Sequence, residues 1–66
     1  MKIYIVMKHT YMMTTHNSII HSIYRNKSTC QSKVNELNKN NPDPMEEDDW
    51  GPISGSEYVL SEHIAN

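Results

Sequence analysis

Five side chains in this chain have the chemistry to hold a metal ion or start a nucleophilic reaction: His9, His16, His21, His63 and Cys30. Zinc sites are built from closely spaced ligand pairs, C-x₂₋₄-C or H-x₃₋₅-H, because two donors on one short segment fix half of a tetrahedral shell. His16 and His21, separated by four residues, meet the second spacing, but no cysteine pair accompanies them. The expectation is no metal, with these histidines as polar strand and loop residues. Cys30 falls near the first turn of an expected helix, where the helix dipole can lower a thiol pKa. It is also the first member of an apolar stripe, where a free cysteine acts as a small buried hydrophobe. The second reading is preferred. No Gly-rich phosphate loop, G-x-S-x-G or H-E-x-x-H is present. The sequence therefore points to no catalytic residues, no cofactor and no enzyme.

The most unusual chemistry lies elsewhere. In "NNPDPMEEDDWGP" four consecutive acids, Glu46, Glu47, Asp48 and Asp49, run into the only tryptophan, Trp50. Runs of like charge are often just solvated loops, and Trp50 could fold back to cap its own core. A contact surface is the functional alternative. Trp is enriched at interface hot spots, and flanking carboxylates steer toward a basic partner. The candidate partner-binding residues are therefore Glu46, Glu47, Asp48, Asp49 and Trp50.

Charge is split along the chain. The first 40 residues hold all six Lys and Arg against the single Glu36, a net +5; from residue 41 on there are seven acids and neither Lys nor Arg. A competing reading makes Arg25, Lys27 and Lys33 a nucleic-acid-binding patch. These residues form no tight stripe, and the total charge of −2 gives little drive toward phosphates. Nucleic acid is accordingly disfavoured.

The elements that must position these residues follow from periodicity. "KIYIVMKHTYM" alternates as a strand over about 2–12, with Ile3, Ile5 and Met7 on one face and Tyr4 and Val6 on the other. "TTHNS" reads as a polar loop and "IIHSIYR" as a second strand over about 18–25, making a hairpin. Its alternation groups Ile19, His21 and Ile23 against Ile20, Ser22 and Tyr24. Cys30, Val34 and Leu37 then recur at helical spacing, and Ser28 with Gln31 fits a capping box. A helix is expected over about 28–39, ended before Pro42. Residues 40–55 are expected as a long acidic loop with Pro and Gly, and "SEYVLSEHI" as a third strand over about 56–64. The fold class is α+β: a single small β-β-α-β domain spanning 1–66, a three-stranded sheet with one helix on one face. If the last strand joins the first, the helix provides a crossover and a parallel pairing is available. The uncovered face would hold Tyr4, Val6, Ile20 and Tyr24.

The frame formed by "YRNKSTC" and "EYVL" resembles small β-β-α-β proteins of unknown function found in phage and bacterial genomes. The resemblance implies the fold and a phage-like origin and transfers no site. The composition points the same way: residues with AT-rich codons far outnumber Gly, Ala, Arg and Pro, as expected of an AT-rich coding sequence. A chain of 66 residues builds only a thin core, and one cysteine excludes an intrachain disulfide. Association with another protein, a host factor, or with further copies as a homo-oligomer is the expected source of extra stability. No stretch has the roughly 20 apolar residues of a membrane span, so no membrane is expected. The expected place is the cytoplasm, and the expected role is a non-catalytic protein-binding accessory protein. A self-assembling structural protein is the other alternative.

Overall fold

The computed structural model describes residues 1–65. The chain runs β1 (Lys2–Met12), β2 (Thr15–Tyr24), α1 (Lys27–Lys39), β3 (Glu46–Asp48) and β4 (Gly51–Ile64). The four strands form one antiparallel sheet in the order β2-β1-β4-β3. The α+β class holds, and the sheet has four strands where the sequence suggested three.

The additional strand comes from the acidic segment. Glu46–Asp48 pair with Gly51–Ser54, so the expected loop 40–55 is cut short and β4 begins at Gly51 instead of about 56. Asp and Glu are poor strand formers alone; the ladder to β4 holds them extended. The β1–β2 connection is also tighter than "TTHNS" suggested. Met12 pairs with Thr15, leaving Met13 and Thr14 as a two-residue turn, with Met13 in the left-handed region at φ 55°. No glycine marks this turn, which is why it was not visible in the sequence.

β4 does lie beside β1, but antiparallel to it. The helix leaves β2, not β1, so the crossover makes β4 run parallel to β2 with β1 between them. The parallel pairing that the sequence left available for the first and last strands is not the one adopted.

α1 is capped by Asn26, not by the anticipated Ser28 and Gln31 box. Asn26 Oδ1 accepts from the Ser28 and Thr29 amides at 2.9 and 3.2 Å, while Gln31 donates to Asn35 at 3.0 Å. An Asn at this position satisfies amides that have no partner within the helix. At the other end Asn38 fastens the helix to the sheet by imitating a strand. It donates to the Tyr58 carbonyl and accepts from the Tyr58 amide, both at 2.9 Å.

The expected stripe faces inward. Cys30 and Val34 are buried against Val6, surrounded by Tyr4, Tyr24, Leu37, Tyr58 and Leu60. The helix thus covers the Tyr4 and Val6 side, which the sequence reading had left open. The side left open is that of Ile3, Ile5 and Met7. A bulge explains the rest of the difference. The β1–β2 register shifts between Val6 and Met7, where Ser22 pairs with Val6 but Ile20 pairs with Met7. His21 is the extra residue, and its ring meets Tyr58 edge-on at 5.6 Å. Beyond the bulge the alternation inverts. Ile20 joins Ile23 on the open face, and Ile19, opposite Lys8, turns to the helix side.

Candidate partner-binding surface

Both hairpin turns lie at the same end of the sheet. Met12 is opposite Ser54, and the Met13 amide donates to the Ile53 carbonyl at 2.9 Å, so the β3–β4 hairpin extends about three residues past the β1–β2 turn. Its outermost residues are Asp49 and Trp50. Asp48 Oδ1 accepts from the Trp50 amide at 2.8 Å, closing the turn with a side chain.

The hairpin is anchored to the body of the fold. Ser56 is buried, and its amide donates to the Asp43 carbonyl at 2.9 Å. Asn41 Nδ2 donates to the Ser56 carbonyl at 2.8 Å, and Asn41 Oδ1 accepts from the Asp43 amide at 3.0 Å. Gly55 sits at φ 110°, where a Cβ would run into the Pro44 carbonyl. Only glycine allows this close backbone approach.

Trp50 is 96% exposed, so it does not cap the core. Glu46, Glu47, Asp48 and Asp49 are exposed beside it. Met12, Met13 and Ile53 are exposed at the same end, at 68%, 81% and 41%. The sequence reading named the acids and Trp50 but missed these three. Nothing in their spacing links residues 12 and 13 to residue 53; the β1–β4 register does. Four exposed apolar side chains and four carboxylates thus share one pole of the molecule.

The remaining candidates lie apart from it. Arg25 and Lys27 are exposed at the opposite pole, while Lys33 is half-buried and 3.7 Å from Glu36. Part of the Lys33 charge is thus compensated locally, and the three residues present no concentrated basic face.

His16 meets His9 rather than His21. His9 Nδ1 lies 3.2 Å from His16 Nε2 and 2.7 Å from Ser18 Oγ, and the Tyr11 ring stacks on His16 at 4.3 Å. His63 pairs with Ser61 at 2.7 Å. Among the described residues no three His, Cys, Asp or Glu side chains gather as a metal-binding group. Cys30 is fully buried, and burial pushes its thiol pKa up, opposite to the direction a nucleophile needs.

Comparison with family models, with curated proteins and with solved structures finds no match. Among the described residues no helix is long and apolar enough to cross a membrane.

Proposed function

We propose that this chain is a small non-catalytic protein-binding protein whose contact surface is the Trp50 hairpin pole. The observation that carries the reading is the near-complete exposure of Trp50 at the end of an anchored hairpin. Leaving an indole in water gains the fold nothing, whereas an exposed indole carried on a hydrogen-bonded turn can fill a partner's pocket with little backbone ordering cost. Met12, Met13 and Ile53 extend the apolar contact, and methionine adapts well to an irregular surface. Glu46, Glu47, Asp48 and Asp49 select a partner with a basic surface and raise the rate of encounter.

The partner class is a protein with an exposed cationic groove, such as a nucleic-acid-handling enzyme whose phosphate-binding surface the carboxylates occupy. A composition biased toward residues with AT-rich codons, and the resemblance to small phage proteins, favour an accessory protein that modulates or inhibits a host factor. A lone reduced cysteine fits the host cytoplasm. The test is capture of a partner by wild-type chain, Trp50→Ala, and a variant with all four acids replaced by Asn or Gln. Loss in both variants, with salt-sensitive capture by the wild type, is the expected result. Unchanged capture by both removes the reading.

A further inference from the structure

The sheet has a second apolar surface, unrelated to the Trp50 pole. On the side away from α1 lie Ile3, Ile5 and Met7 of β1, Ile20 and Ile23 of β2, and Val59 of β4. Ile5, Met7, Ile20 and Val59 line a shallow concavity of about 390 Å³. Ile20 and Ile23 are 58% and 57% exposed. No element of residues 1–65 covers this side.

We infer that this face is the interface for a second copy of the same chain, packed sheet against sheet in antiparallel orientation. Three observations lead to that occupant. The first is size. The two longer extents of the molecule are 39 and 24 Å, which caps the outline of its broad side on the order of 900 Å², comparable with the roughly 800 Å² per partner of a standard stable interface. The second is charge on the face itself. Among the described residues of β1, β2 and β4 that point this way, Glu57 is the only Asp, Glu, Lys or Arg. An identical surface therefore meets it with little repulsion. His9, Ser18, Ser61 and His63 share the concavity with the aliphatic residues, uncharged hydrogen-bonding groups that a second copy can meet.

The third observation sets the orientation. The acids Glu46–Asp49 lie at one end of the sheet, in β3 and its turn, and Arg25 and Lys27 lie at the other, where β2 ends opposite Tyr4. An antiparallel two-fold places each acidic pole toward its partner's basic end, whereas a parallel arrangement crowds the two acidic poles together. The isologous contact also closes on itself, giving a dimer and no open polymer. Packed at the usual spacing of about 10 Å, the two sheets form a sandwich with both helices outside.

The experiment is sedimentation or light scattering over a range of protein concentrations, which needs no foreign partner and so is independent of the function proposed above. A concentration-dependent dimer is expected for the wild type, with the equilibrium shifted at least tenfold toward monomer by Ile20→Glu and by Ile23→Glu. Ile19→Glu is the control: Ile19 is equally exposed at 58% but points to the helix side. Circular dichroism of each variant establishes that it is folded. High salt should weaken the dimer modestly, because the orientation rests on opposite charges. A monomeric wild type at every concentration overturns the inference. So does a dimer unaffected by Ile20→Glu and Ile23→Glu, or one that Ile19→Glu disrupts equally. A dimer strengthened by salt overturns the antiparallel order.

Discussion

Two regions of this molecule use apolar side chains in opposite ways. Beneath α1, Val6 and Cys30 are completely buried and Val34 nearly so. At the hairpin pole, Trp50, Met13 and Met12 stand 96%, 81% and 68% exposed. The largest apolar side chain in the protein is thus absent from its thin core. Folding rests on a few small and medium residues ringed by tyrosines, and the pole contributes little to it. The difference separates what keeps the chain folded from what the proposed function assigns to a partner, and single substitutions can test the separation.

The largest effect is expected at Val6. Val6→Asp buries a carboxylate with no partner beneath the helix, and loss of several kcal/mol leaves the chain unfolded by circular dichroism. Gly55→Ala comes next. The φ of 110° and the nearby Pro44 carbonyl disfavour any Cβ, so a cost of roughly 2 kcal/mol is expected in urea unfolding. Because Gly55 lies where the hairpin joins the body, this variant should also weaken capture of a partner. Asn38→Ala removes both side-chain hydrogen bonds to Tyr58; about 1–2 kcal/mol is expected, with faster amide exchange at Tyr58.

Cys30 supplies a smaller, pH-dependent effect. Its thiol pKa is raised in the folded state from the ordinary 9.0. Above that value the unfolded chain loses the thiol proton while the folded chain keeps it. Stability contributed by this group is therefore present below pH 9.0 and falls as pH rises toward the folded-state pKa. Thermal melts at rising alkaline pH should show this extra decline in the wild type and not in Cys30→Ala. A thiol reagent at neutral pH should react only as the chain unfolds.

Much of the fold was legible in the sequence because its signals were local. The alternation of residues 2–12 and 56–64 and the stripe of Cys30, Val34 and Leu37 each fix an element without distant information. Three features were not. The bulge at His21 is a property of two paired strands, so alternation along β2 alone assigned Ile19 and Ile20 to the wrong faces. The turn at Met13 lacks the glycine that would announce it. β3 is made of residues that favour a strand only once β4 lies beside them. At the candidate site the acids and Trp50 were legible as composition, whereas Met12, Met13 and Ile53 join them only through the β1–β4 register.

Trp50→Ala carries the smallest expected effect on stability and the largest on binding. The most direct measurement is therefore a paired one on this variant and the wild type: thermal midpoint, and retention of a captured partner. The expected result is a stability change within about 0.5 kcal/mol, together with at least a tenfold loss of partner affinity. A substantially lower midpoint would place Trp50 in the folding account, and undiminished affinity would contradict the separation of the pole from the core.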